Sequence, residues 1–229
     1  MRILRNIFAF FALPAVAAGA YTAFKSFLSF AGASGQTYTP FWIGILCYAV
    51  FQAAFYKPMR TYVFGHELTH AFAGILSGAR IKKFKVGKES GSVVLTKDNV
   101  WITLAPYFFP LYTFAIIAVY LTLGWFYDIK ELYGYFLFFA GVSIAFHAAL
   151  TVYIISIGQP DLKVYGVFFS CVLIAAINVL VFSLLMVLCF PNELNAGELF
   201  GAMFQNAADA YKFIISGVME IWSAFQKTS

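Results

Sequence analysis

Apolar runs separated by short polar breaks dominate the chain. The first extends from Ile7 to about Phe30 and ends at a polar turn, Gly32 to Thr37. A second runs from Pro40 to Tyr56, a third from Thr61 to Leu76, a fourth from Trp101 to Phe126, a fifth from Tyr135 to Ile157 and a sixth from Val167 to Phe190. Most of these runs suit the roughly 17 to 25 residues of a membrane-crossing helix. Pro14 is a candidate kink in the first. Ala105-Pro106 and Pro110 interrupt the fourth, where they either kink a helix or free main-chain groups beside a cavity.

Two segments follow other periods. Lys83, Phe84, Lys85 and Val86 alternate ahead of a turn at Lys88-Glu89-Ser90-Gly91, which reads as a β-hairpin over 80–97. After Pro191, apolar positions from Phe200 to Trp222 recur at helical spacing opposite Glu198, Gln205, Asp209, Lys212 and Glu220. That is an amphipathic helix over 196–225, lying on the membrane or against the bundle. The expected fold is an all-α polytopic membrane protein with about six transmembrane helices, a small β-hairpin after the third, and a C-terminal amphipathic helix. Residues 1–194 form the membrane-embedded domain, with its core at about 61–190, and 195–229 form the terminal helix. No internal repeat stands out, and no matched pair of interrupted spans points to an inverted-repeat transporter.

Composition agrees with the pattern. Of 229 residues, 62% are hydrophobic and 11% charged, against roughly 25% charged in a soluble domain, so the chain belongs in a bilayer. Its 28 Phe and 14 Tyr suit lipid-facing and interfacial positions. The net charge of +5 gathers near a few loops, which bears on orientation and anionic lipid and not on a nucleic-acid partner. Cys47, Cys171 and Cys189 lack metal-type spacing and are expected to be buried packing residues. The charged start and the apolar run behind it are too long for a signal peptide, so the first run is expected to be a retained anchor.

Chemistry concentrates in the third run, at His66-Glu67-Leu68-Thr69-His70. Residues four apart on a helix share one face, about 6 Å apart along the axis, so both imidazoles can grip one ion. Zinc accepts neutral histidine nitrogen, and its catalytic sites typically use three protein ligands with water in the fourth position. Glu67, beside the first ligand, is placed as general base for that water. Ionisable groups in an apolar span are costly and mark function.

A third ligand must come from elsewhere. Asp161 follows Pro160 in the polar break between the fifth and sixth runs, where its carboxylate can face a shared cavity. His147, within the fifth run, is the other candidate; Glu193 and Glu198 read as interfacial residues.

His66-Glu67-Leu68-Thr69-His70 in a span, the following Ala71 to Gly78, the basic hairpin and the downstream Asp161 together resemble the site-2-protease family of intramembrane zinc metalloproteases. The likeness is to its compact branch without large soluble insertions, and covers about 61–180. The family's Leu-Asp-Gly motif, preceded by Asn and Pro, is replaced by Gln159-Pro160-Asp161-Leu162. The resemblance implies a Zn2+ ion held by His66, His70 and Asp161, Glu67 as general base and proton carrier to the leaving amine, and a membrane-anchored protein as substrate. A helical substrate must unwind before cleavage, and an edge of the hairpin, with Phe84, Val86, Val93 and Val94, is the expected clamp for the unwound strand. A bacterial inner membrane is the expected location, and no oligomeric state is implied.

Lysines at 82, 83, 85, 88 and 97 place the hairpin on the cytoplasmic side, and counting two spans onward returns Asp161 to that side. Counting backward leaves Arg2 and Arg5 outside, against the same rule, so the N-terminal topology stays open. Two other functions compete: a non-catalytic scaffold or ion transporter using the histidines, which would not need Glu67, and a membrane zinc hydrolase with a glutamate such as Glu193 as third ligand.

Overall fold

A computed structural model describes residues 2–33, 35–55, 57–88 and 90–228. Ser34 in the expected polar turn, Tyr56 at the end of the second run and Glu89 in the hairpin turn lie outside the described residues. In order, the elements are α1 (Arg2–Ala33), a 3-10 turn (Gly35–Tyr38), α2 (Thr39–Ala54), α3 (Met59–Leu76), β1 (Ile81–Val86), β2 (Gly91–Leu95), α4 (Val100–Leu104) and a 3-10 turn (Ala105–Tyr107). There follow α5 (Leu111–Phe126), a 3-10 turn (Lys130–Leu132), α6 (Tyr133–Ser156), α7 (Pro160–Val164), α8 (Val167–Cys189) and α9 (Ala196–Thr228).

The helical class and the single antiparallel hairpin are as expected; the count of spans is coarser. Among the described residues, three stretches are long and apolar enough to cross a membrane by themselves, Arg2–Ser29, Lys130–Ser156 and Val167–Cys189. Two bent pairs, α2 with α3 at 119° and Val100–Tyr107 with α5 at 79°, raise the number to as many as five if each pair is one span. The chain is therefore an integral membrane protein by helix length and apolarity. Six separate spans are not reached because α2, with 16 residues, extends about 24 Å at 1.5 Å per residue, short of a hydrocarbon core of about 30 Å. In the fourth run, Pro106 and Pro110 break the helix outright between α4 and α5.

The described chain divides into two compact units, 34–170 and a second made of 1–33 with 171–229. In the first, α2 and α6 meet through two glycines. A Cβ on Gly44 would collide with the Phe138 carbonyl, and one on Gly141 with the Phe41 carbonyl. Small residues at such a crossing let backbones approach closely, the usual way apolar helices gain contact in lipid. Thr113 and Ser143 hydroxyls, 3.0 Å apart and buried, tie α5 to α6.

Gly78, at φ +73°, turns the chain out of α3: its amide donates to the Ile75 carbonyl, and the Ala79 amide to Gly74, closing the helix as a left-handed C-terminal glycine does. The hairpin that follows pairs Phe84 with Val93 and Lys83 with Val94. The Asn99 side chain caps α4 by accepting from the Ile102 amide at 3.0 Å.

In the other unit α9 packs along α1, where Asn206 donates to Thr22 Oγ1 at 2.8 Å and Tyr211 donates to the Phe11 carbonyl. Leu199 and Met203 are buried, whereas Phe213, Ile215, Val218 and Trp222 are exposed, so only the first half of this amphipathic helix is covered. The cysteines depart from expectation. Cys189 is buried, Cys171 half-buried and Cys47 exposed, because Phe41, Gly44 and Tyr48 make the buried face of α2 and Cys47 lies off it.

Candidate metal centre

The site is assembled from three breaks in helical regularity around α3. His66 and His70, one turn apart, bring their Nε2 atoms within 3.2 Å of each other. Asp161 stands in the first turn of α7, which Pro160 opens; proline suits that position because its missing N–H would be unpaired there anyway. Asp161 Oδ2 lies 3.5 Å from His66 Nε2 and 3.6 Å from His70 Nε2. Among the described residues these three form the group able to hold a metal ion.

Hydrogen bonds behind the triad decide what it can do. His70 Nδ1 is 2.7 Å from the Ile102 carbonyl, which can only accept, so Nδ1 carries the hydrogen and Nε2 of the neutral ring presents a lone pair. His66 Nδ1 lies 3.2 Å from the Tyr62 hydroxyl, one turn earlier on α3. The Tyr62 hydroxyl can donate or accept, so His66 can also turn a lone pair inward, and with His70 Nε2 and the Asp161 carboxylate the three side chains can offer three ligand atoms to one cation.

Spacing agrees with a small tetrahedral ion. Zinc bonds of about 2.0 to 2.1 Å place neighbouring tetrahedral ligand atoms roughly 3.3 to 3.4 Å apart, and the observed sides are 3.2, 3.5 and 3.6 Å. Burial by itself would raise the Asp161 carboxyl, but the hydrogen bonds and charges of His66 and His70 outweigh it and hold that carboxyl well below the usual carboxylate range. The carboxylate therefore keeps its negative charge opposite the two imidazoles.

The free Ile102 carbonyl has a cause legible in the chain. In an α-helix it would accept from the amide of residue 106, and residue 106 is proline. The break in the fourth run thus does expose a main-chain group, and His70 uses it. Just beyond, Tyr107 is fully buried, stands edge-on to the His66 ring at 5.4 Å and donates to Asp161 Oδ2 at 3.0 Å.

Glu67 is buried at 8% exposure. The hairpin seats directly on it: a Cβ at Gly91 would lie 2.5 Å from Glu67 Cγ and 3.0 Å from its Oε1. Glu67, both histidines and Asp161 line one cavity of about 520 Å³, with Gly91 to Leu95, Lys97, Asp98, Ile102, Thr103, Gln159, Pro160 and Val164. The Val93 amide faces the Glu67 carboxylate.

That orientation follows from the ladder. The Gly87 amide donates to the Ser90 carbonyl, so the bonded pairs on the way down the hairpin are Lys85 with Ser92 and Lys83 with Val94, while Phe84 with Val93 and Val86 with Gly91 are the unbonded ones. The main-chain groups of Gly91 and Val93 therefore point away from β1, at an open edge bordering the cavity.

Of the residues singled out from sequence, His66, Glu67, His70, Asp161, Val93 and Val94 meet at this cavity. Phe84 and Val86 sit on β1, outside its lining; Phe84 packs edge-on to Phe64 of α3 instead. His147 does not join the triad: its Nε2 is buried in α6 without a partner among the described residues. Glu193 is an exposed turn residue. Sequence reasoning passed over Tyr62, Tyr107, Gly91 and the Ile102 carbonyl. Tyr62 was signalled by its place four residues before His66, and the Ile102 carbonyl by Pro106; nothing local marks Tyr107 or Gly91. No protein-family model, curated protein or solved structure matches the chain, so the reading of the site rests on these residues.

Proposed function

We propose that this protein is an intramembrane zinc endopeptidase, akin to the compact site-2 proteases, that cleaves a membrane-anchored protein and resides in a bacterial inner membrane. One observation carries the reading: two imidazoles and a carboxylate face one another beside a buried glutamate, in a cavity bordered by an open strand edge. A six-coordinate ion held by the same three donors is a poorer fit, because ligands at right angles on bonds of similar length would lie only about 2.9 to 3.0 Å apart.

His66, His70 and Asp161 would hold the ion, which when bound supplies Lewis-acid polarisation of a carbonyl and a water of lowered pKa. The Ile102 carbonyl would keep His70 in the ligating tautomer, the Tyr62 hydroxyl would meet the far nitrogen of His66, and Tyr107 would keep Asp161 turned inward. Glu67 takes a proton from the attacking water and returns it to the leaving nitrogen. Burial beneath the hairpin keeps bulk solvent from the carboxylate.

A peptide bond inside a helix is covered by its own hydrogen bonds. The edge main-chain groups of Gly91 and Val93 offer an unwound substrate segment replacement partners, as in strand addition. Glu67 distinguishes this reading from an ion-handling protein, which would have no use for a buried base next to a ligand.

The test is to purify the chain in detergent, measure its metal content, and assay cleavage of candidate single-span substrates by wild type and Glu67→Gln. About one zinc per chain and a loss of at least a hundredfold in Glu67→Gln with zinc retained are expected. Equal cleavage by both proteins would remove Glu67 as the base.

A further inference from the structure

Within a bilayer the exposed apolar face of a helix is the solvated one, and an exposed polar face is the one that calls for a partner. Helix α9 carries such a face. Gln205, Asp209, Lys212 and Ser216 are all exposed, and at 3.6 residues per turn they fall in a stripe about 60° wide. Gln205 donates to both oxygens of Asp209 at 3.2 Å, and Lys212 Nζ donates to Oδ1 at 2.8 Å. Even so paired, the side chains of Asp209 and Lys212 stay 53% and 71% exposed. On the far side of the same helix Ile214, Val218, Ile221 and Phe225 are exposed as well, and lipid chains suit them.

The depth of the stripe follows from α1. Arg2–Ser29 of that helix is long and apolar enough to cross the membrane, and α9 is tied to it at two levels, Asn206 to Thr22 Oγ1 at 2.8 Å and Tyr211 to the Phe11 carbonyl. Thr22 and Phe11 lie only about 10 and 7 Å along the axis from the middle of that stretch at 1.5 Å per residue, inside the half-thickness of about 15 Å of a hydrocarbon core. Asp209 falls between Asn206 and Tyr211, and Lys212 follows Tyr211 directly. The ion pair therefore stands at hydrocarbon depth, uncovered among the described residues, where charges are costly unless they face water or protein.

The charges point to the partner. Copies of one chain share a topology in the membrane, so two of them meet with their α9 helices parallel, about a two-fold axis along the membrane normal. Asp209 and Lys212 stand on opposite flanks of the stripe, about 60° apart, and in a parallel pair each flank of one helix faces the other flank of its mate. Asp209 of one copy then meets Lys212 of the other, twice, with Ser216 near the axis. An unrelated helix would need both signs at that spacing; a second copy has them by symmetry. We propose that the stripe Gln205, Asp209, Lys212 and Ser216 is a homodimer interface within the bilayer, closed by four charges, two from each copy. It is independent of zinc and of cleavage.

The test uses the full chain, extracted from membranes in a mild detergent and weighed by native mass spectrometry. Wild type is expected to be dimeric. D209K and K212D, which set like charges against each other across the axis, should each lose dimer about fivefold or more. Co-expressed, the two variants should form mixed dimers, recognised by mass, because the lysines of one then face the aspartates of the other; this rescue also shows that both variants fold. A monomeric wild type, single variants as dimeric as wild type, or co-expression without mixed dimers would each overturn the interface, and so would recovery of a different membrane protein on the stripe in place of a second copy. A second measurement leaves the charges alone. Under mild oxidation in membranes S216C should form a disulfide-linked dimer, since a disulfide needs Cα atoms within about 7 Å, whereas V218C, on the far side of α9, and wild type with its native cysteines should not. Absence of the S216C dimer, or equal cross-linking of V218C, would refute the arrangement.

Discussion

The Tyr107 hydroxyl donates to Asp161 Oδ2 at 3.0 Å, the same carboxylate oxygen that faces His66 and His70. An oxygen so restrained has one orientation, and a metal ion bound there would not need to select it from several. Removing the hydroxyl alone isolates that contribution. Tyr107→Phe keeps the buried ring and should lower zinc affinity by about 10- to 100-fold, the usual cost of losing a partner behind a ligand. Competition against a chromogenic chelator measures it. An affinity equal to wild type would reduce Tyr107 to a packing residue.

A zinc ion held by residues of α3 and α7 would bind only their folded arrangement and should stabilise the chain by mass action. At free zinc about 100 times the dissociation constant the gain is about 2.7 kcal/mol. A chelator should therefore lower the midpoint of thermal unfolding in detergent, and zinc should restore it. In Asp161→Asn the zinc-dependent shift should shrink strongly, since a neutral amide replaces the anion of the donor set. His147→Ala should leave the zinc-dependent shift intact, whatever it does to the midpoint itself, because His147 lies outside the triad.

The helical class, the hairpin and the shared face of His66 and His70 were legible in the sequence because each has a local period. Alternation around Phe84 gave the hairpin, and the four-residue spacing of His66 and His70 gave a shared face. Asp161 was reached by elimination among acids, and its geometry depends on how α7 meets α3, which no local pattern encodes. The span count stays coarser than the six runs for a similar reason: hydropathy sees α2 and α3 as two runs, but not the sharp bend between them. Tyr107 escaped because a tyrosine in a chain with 14 of them is unremarkable until its partner is known. The hydroxyl of a buried tyrosine needs a partner, and that requirement points to a polar neighbour without naming it.

At the α2–α6 crossing, Gly44 and Gly141 each rest against a carbonyl of the opposing helix. A methyl group at either position meets backbone, which cannot rotate away. Gly44→Ala or Gly141→Ala should force the helices apart and lower stability by about 1 to 3 kcal/mol, the range for overpacking, with the larger side chain of valine costing more. Gly217, in the exposed half of α9 and with open space around its Cα, serves as the control: Gly217→Ala should be neutral or slightly stabilising, as expected for glycine to alanine within a helix. Thermal unfolding monitored by size-exclusion chromatography ranks the variants, and equal midpoints for Gly44→Ala and wild type would mean that the crossing yields easily.

The open edge of β2 predicts a contrast between two adjacent residues. Val94 spends its amide on the pairing with Lys83, whereas the amide of Val93 faces the cavity. Proline removes an N–H wherever it is placed, so Val94→Pro should disrupt the hairpin and lower stability. Val93→Pro leaves the ladder bonds in place but removes an amide that faces both the cavity and the Glu67 carboxylate, so its effect is assigned to the edge only where the pH profile of the residual activity matches wild type. If the edge clamps an unwound segment, Val93→Pro should lower kcat/KM for a membrane-anchored substrate by tenfold or more while zinc content stays at the wild-type level. Cleavage of a short, already extended peptide should fall as well, because it needs the same edge. Unimpaired cleavage of both substrates by Val93→Pro would place the clamp elsewhere, and loss of zinc in that variant would show that the strand supports the metal centre itself.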